Sequence, residues 1–368
     1  MSRSPDISRP AAVWLFAVAA MVFAMVVVGG STRLTGSGLS ITEWKPIIGV
    51  IPPLSHQGWL DAFHKYQQIP QYRLLNSGMS LAAFQQIYWW EWTHRLLGRL
   101  IGVAFVAPMV GLWASGRMPR RLLWRAWLLL GLGLLQGMVG WWMVASGLED
   151  RVSVAPERLA IHLGLALVLF CLLIWTGLEA WFGVGRHNLD GRWRAPTAVL
   201  AALVFGQIML GALVAGNQAG LVYNDWPLMN GRLFPADYLE GGLPQALLHS
   251  QAAVQFNHRI GAYVLLACAV AAAILAARRG ALPRGTGALA AIFAGLVLVQ
   301  AGLGVITLMS RAPLGLALAH QGLAAVVLVS ALVLAWRAED TRPLLQALID
   351  TAKAARPGCS SAPAPPEA

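Results

Sequence analysis

Glu91-Trp92-Thr93-His94-Arg95, followed by Arg99, places a carboxylate, an imidazole and two guanidinium groups beside an apolar run that begins at Leu100. Ionisable groups at the depth of a bilayer are costly, so they point to a site. His162, His258 and His320 occupy similar apolar settings, whereas His56, His64, His187 and His249 fall between apolar runs and are read as solvated. One intramembrane histidine could serve merely to bond a neighbouring helix. Four at matched depth, two in each half of the chain, indicate ligation. Neutral imidazole is a common iron ligand, and facing histidines in a four-helix bundle are a way to hold a porphyrin. Zinc would want a compact tetrahedral set, usually with cysteine or carboxylate, and none is arranged here. Haem is therefore the expected ligand, one per half, on the iron ligands His94, His162, His258 and His320, with ligation across the halves, His94 with His258, as the geometric alternative.

The neighbouring charges refine that expectation. Arg95 and Arg259 directly follow His94 and His258 near the membrane edge, where haem propionates need cationic partners; snorkelling to lipid headgroups is the plainer alternative. Glu91 precedes His94 by three residues, one turn away on the same face, while the matching position before His258 is Gln255, which does not titrate. Arg99 likewise corresponds to Tyr263. A carboxylate beside a porphyrin suits proton transfer, so the first half reads as reactive and the second as an electron-transfer site. An ion pair of Glu91 with Arg95 or Arg99 is the competing reading.

These residues need membrane helices to position them. The chain of 368 residues is 57% hydrophobic and only 12% charged, too apolar for an ordinary soluble domain. Its net charge of +11 comes from short Lys and Arg clusters between apolar runs, as in the cytoplasmic loops of a membrane protein, and no nucleic-acid partner is expected. Three cysteines, Cys171, Cys268 and Cys359, offer no disulfide framework. Eight stretches are long enough to span a bilayer: 11–30, 82–114, 122–145, 158–182, 196–216, 252–277, 287–309 and 314–336. Arg3 and Arg9, Arg117/Arg120/Arg121, Arg186/Arg192/Arg194, Arg278/Arg279/Arg284, and Arg337 with Arg342 then share one side, with long loops 31–81 and 217–251 opposite. The expected localisation is a bacterial inner membrane, with both termini cytoplasmic and the haem sites toward the periplasm.

The chain also repeats. Ser37-Gly38-Leu39 with Trp44 resembles Ala219-Gly220-Leu221 with Trp226, and Thr93-His94-Arg95 resembles Asn257-His258-Arg259. Gln136 and Gly140 match Gln300 and Gly304, and Ile161-His162 matches Ala319-His320. The expected fold is an all-α integral membrane protein of eight transmembrane helices arranged as two pseudo-symmetric four-helix bundles. Residues 1–194 form the first half and 195–340 the second, with a Pro- and Ala-rich tail at 341–368 expected to be disordered. Spacings such as Gly133 to Gly137 permit helix association, within one chain or in a homo-oligomer.

Together, Gly29 to Ser40, Glu91 to Arg95, Gln136-Gly137 with Gly140, His162, Asn257-His258-Arg259 and His320-Gln321 resemble the haem A synthase family over nearly the whole chain outside the tail. The resemblance implies oxidation of the C8 methyl of haem O to a formyl group by successive hydroxylations and loss of water. It implies haem b as cofactor on His258 and His320, and substrate haem O facing His94 and His162 with Glu91 as the catalytic carboxylate. Expected partners are haem O from a haem O synthase, membrane lipid, an electron-transfer partner and cytochrome oxidase assembly factors. Some relatives carry a cysteine pair in the first outer loop; residues 31–81 here contain none. In that loop Trp44, Lys45, Trp59 and Tyr66 either cover a haem edge or simply pack the loop. A di-haem b cytochrome and a haem transporter or chaperone would use the same histidines.

Overall fold

The computed structural model describes residues 7–183, 193–278 and 286–338. The expected tail at 341–368, Cys359, His187, and Arg3, Arg186, Arg192, Arg279, Arg284 and Arg342 lie outside the described residues. Eight long apolar helices are present: α1 (Arg9–Leu34), α4 (Leu81–Ala114), α5 (Arg120–Ala145), α6 (Pro156–Phe182), α7 (Arg194–Gly216), α9 (Gln251–Arg278), α10 (Thr286–Met309) and α11 (Leu314–Ala338). Short helices α2 (His56–Gln67), α3 (Pro70–Leu75) and α8 (Leu243–Leu248) lie in the two long loops. Among the described residues the only extended pairing is an isolated bridge between Met229 and Arg232. The protein is an all-α, multi-pass membrane protein.

Helix contacts close into two rings. In one, α1 touches α4 and α6, and α5 touches the same two; in the other, α7 touches α9 and α11, and α10 touches the same two. The rings meet through α6 on α7, α1 on α11, and α6 on α11. Exchanging the halves maps the first of these contacts onto the second and the third onto itself, as an internal twofold requires.

Lipid is as apolar as leucine, so packing and polar contacts, rather than burial from water, hold such helices together. Trp14 Nε1 donates to Ala104 O across α1 and α4 at 3.0 Å. Near the ends of α5 and α6 opposite the long loops, buried Glu179 accepts from Arg121, Arg125 and Trp175. Side chains such as Val103, Leu134, Ile292 and Leu298 are more than half exposed and face lipid.

With 34 residues, α4 is about 50 Å long, against about 30 Å of hydrocarbon. Ser80 caps its start by accepting from Ala83 N, and its first turns stand clear of the membrane as a post for the first loop. There Phe63 and Tyr66 of α2 pack on Phe84 and Tyr88 of α4, with Leu39 and Val154, in a small core of their own. Tyr66 is fully buried and Trp59 packs edge-on against Tyr88, so both pack the loop. Trp44 remains exposed and stacks on Trp141 at 5.8 Å.

Candidate functional site

His162, His258 and His320 lie six, seven and six residues beyond the first residues of α6, α9 and α11. His94 lies thirteen beyond the start of α4, the excess matching that helix's protruding turns. All four are half-buried, each against a glycine of a neighbouring helix. A Cβ at Gly140 would lie 2.9 Å from His162 Cε1, at Gly211 3.1 Å from His258 Cε1, at Gly304 2.8 Å from His320 Cε1, and at Gly29 3.2 Å from His94 Nε2. These glycines let the helices close on the rings.

A glutamine one turn before the glycine completes three of the four cradles. Gln136 Nε2 donates to His162 O at 3.0 Å and reaches Nδ1 at 3.2 Å. Gln207 does the same for His258 at 2.8 and 3.0 Å, and Gln300 for His320 at 2.9 and 3.1 Å. Gln136 and Gln300 were visible in the sequence as landmarks of the repeat; Gln207 was not singled out.

The rings of His258 and His320 lie edge-on to one another, with centroids 6.4 Å apart and planes at 82°. Imidazoles bound at about 2 Å on opposite sides of one metal place their ring centres about 6 Å apart, because each centre lies roughly 1 Å behind its nitrogen. His258 and His320 are thus spaced as two residues that would hold one haem iron between them.

Glu91 is 3% exposed and accepts four hydrogen bonds: from Ser40 Oγ (2.8 Å) and Ile41 N (2.7 Å) on Oε2, and from Arg95 Nε (3.0 Å) and Nη2 (2.5 Å) on Oε1. In the second half Gln255 takes this place. Its Oε1 accepts from Arg259 at 2.8 Å, but its Nε2 donates to the carbonyls of Ala219 and Val222, both at 2.7 Å.

The arginines expected at propionates reach first for the loops. Arg95 binds the carbonyls of Glu43 and Ile41, Arg259 those of Leu228 and Tyr223, and Arg99 those of Pro46 and Lys45. Ile41 and Tyr223 are equivalent positions of the repeat, so the two halves tie their loops down alike. Arg99 Nη1 and Arg259 Nε are buried without a partner, which leaves two donors for an anionic edge. Paired imidazoles, glycine cradles and spare guanidinium N–H groups all fit haem.

Charges in the loops are local. The ammonium groups of Lys65 and Lys45 hold the Glu43 carboxyl below the usual range. Backbone N–H groups of Asn230 and Gly231 do the same for Asp225, at 3.0 and 3.2 Å. Burial, then the Asp237 carboxylate it bonds, pushes the Tyr223 phenol up to about 12. His56 and His64 are exposed, and His249 is 4.0 Å from Glu157.

A family model described as cytochrome oxidase assembly protein matches residues 12–332. Heme A synthase of Caulobacter vibrioides is 59% identical over 333 residues, covering 90% of this chain and 97% of that protein. Heme A synthase of Rhodopseudomonas palustris is 52% identical over 328 residues, 87% and 89% of the two chains, and that of Maricaulis maris 48% over 337 residues, 90% and 96%. With matches of this extent, the chain belongs to the cytochrome oxidase assembly protein family.

Proposed function

We propose that this protein is a haem A synthase, an oxidoreductase that converts the C8 methyl of haem O to the formyl group of haem A by successive hydroxylations and loss of water. The observation that carries the reading is an asymmetry within a duplicated site. Both halves hold a histidine pair in glycine cradles, but only the first sets a carboxylate, Glu91, one turn before its histidine. The names of the relatives favour this over a di-haem cytochrome or a haem carrier.

In this reading residues 1–194 bind haem O between His94 and His162, and residues 195–340 bind haem b between His258 and His320. Haem b, when bound, supplies one-electron redox chemistry. The imidazoles of His94 and His162 would hold and orient the substrate ring. Glu91 takes up a proton released as the methyl is oxidised, with the Ser40 hydroxyl, 2.8 Å from Oε2, next in line toward the loop. Arg95 fixes the loop that excludes water, and the spare Arg99 and Arg259 N–H groups receive propionates.

The protein would sit in a bacterial inner membrane with both termini cytoplasmic and the sites toward the periplasm, since the described basic loops share the side opposite the histidines. It would draw haem O from a haem O synthase, exchange electrons with a redox partner, and work beside cytochrome oxidase assembly factors. Co-expression with a haem O synthase is the test: extractable haem A is expected. Recovery of haem B and haem O alone from folded, haem-loaded protein would overturn the reading.

A further inference from the structure

Three of the four histidines are clamped by a glutamine four residues before the cradle glycine: Gln136 before Gly140, Gln207 before Gly211, Gln300 before Gly304. Before Gly29 the same position holds Met25. A thioether has no N–H to offer and is at best a weak acceptor. The Met25 methyl points to α4 a turn below His94, where a Cβ on Gly98 would lie 3.4 Å from it. The His94 ring also sits differently. Its Nε2 and Cδ2 edge faces Gly29, whereas the other three turn Cε1 and Nδ1 to their glycines.

The glutamines have a second feature in common: Gln136 Oε1, Gln207 Oε1 and Gln300 Oε1 are all buried without a partner. A histidine that ligates iron through Nε2 keeps its proton on Nδ1 and needs an acceptor there. Oxygen and nitrogen of a carboxamide exchange places by a half-turn, so Oε1 becomes that acceptor once metal is bound, in exchange for the present Nε2 bond to the histidine carbonyl. Such outer partners fix tautomer and ring orientation, and their loss typically costs about 10- to 100-fold in metal affinity.

We propose that His94 is the releasable ligand of the first site and that Met25 is the positioning residue that makes it so. The second half, with both histidines clamped, retains its haem. The first half, with only His162 clamped, lets its haem enter and leave with the iron–His94 bond breaking first and forming last, which leaves a singly held iron whose remaining bond to His162 then breaks or forms. This rests on the haem-ligation reading above and adds the direction of exchange, which a resident cofactor does not need and a substrate does.

The test mixes protein loaded with haem in both halves with excess apomyoglobin and follows haem transfer by absorbance, with the carbon monoxide-binding fraction of the ferrous protein as a second readout. Wild type is expected to show a fast phase from the first half and a slow one from the second. Met25→Gln should slow the fast phase about 10- to 100-fold and reduce the carbon monoxide-binding fraction, while Gln207→Met should accelerate the slow phase by a similar factor. Unchanged phases in both variants would overturn the proposal. If Met25→Gln does not fold, Gln207→Met decides alone. His258→Ala separates this from the underlying reading: loss of the slow phase supports ligation by the pair, and full retention of haem there would overturn ligation itself.

Discussion

Gln255 turns an amide N–H toward loop carbonyls from the position where Glu91 turns a carboxylate toward loop donors. Each loop is folded to the chemistry of the residue beneath it: the first offers Ile41 N–H and the Ser40 hydroxyl, the second the carbonyls of Ala219 and Val222. The shared part is the arginine one turn on, which binds both the side chain and the loop backbone. The negative charge is therefore a property of the first half that the loop accommodates, and two alternative roles for Glu91 lead to different outcomes on substitution.

Glu91→Gln is expected to lower haem A formation by about 10²- to 10⁴-fold, the range of a general acid or base, while the haem b spectrum persists. The amide would also face Ile41 N–H and Ser40 Oγ with its own N–H group, at a cost of roughly 1–3 kcal/mol for buried donors left without acceptors. Pigment extraction and the haem b absorption band check both. Loss of haem b along with haem A would make Glu91 a loop anchor instead of a catalytic group.

Gly304 and Gly302 give a matched pair of substitutions on one helix. Alanine favours a helix over glycine by about 1 kcal/mol at either position. A Cβ at Gly304 would lie 2.8 Å from His320 Cε1, whereas nothing lies within 4 Å of one at Gly302. Sterics outweigh propensity at the first site only. Gly304→Ala is expected to lower bound haem b about tenfold through a displaced imidazole, and Gly302→Ala to leave it unchanged, as read from the haem-to-protein absorbance ratio. Equal haem content in the two variants would remove the cradle role from Gly304.

Much of this architecture was legible in the sequence because hydropathy and repetition report on long helices directly. The eight spans agree with α1, α4, α5, α6, α7, α9, α10 and α11 to within a few residues, and the offset between His94 and His258 is also that between Gln136 and Gln300. The arginines were harder. Arg95 adjoins His94 in sequence, yet consecutive helical residues do not share a face. Arg95 pairs instead with Glu91, four residues back, and turns toward the loop. Gln207 and Met25 carry no sequence signal of their own, because each lies on a different helix from the first histidine of its half, and only the offset joining Trp44 to Trp226 relates them. The helices α2, α3 and α8 lay inside what reads as loop, since they are too short for a strong periodic signal.

The second long loop should respond to acid. Asp225 accepts from Asn230 N and Gly231 N, which hold its carboxyl below the ordinary aspartate value near 4. A depressed carboxylate stabilises the fold above its unfolded value, and that contribution disappears as pH falls through the lower folded value. The turn is therefore expected to stay closed at pH 5 and above and to open below about pH 4. Arg259, the neighbour of His258, binds Leu228 O within the same turn, so opening should reach the second-half site. Amide exchange at Asn230 and Gly231 against pH gives the direct measurement, with the haem b band as the distal one. Asp225→Asn should exchange faster at neutral pH and lose the acid step. An unchanged profile in that variant would mean that other contacts hold the turn.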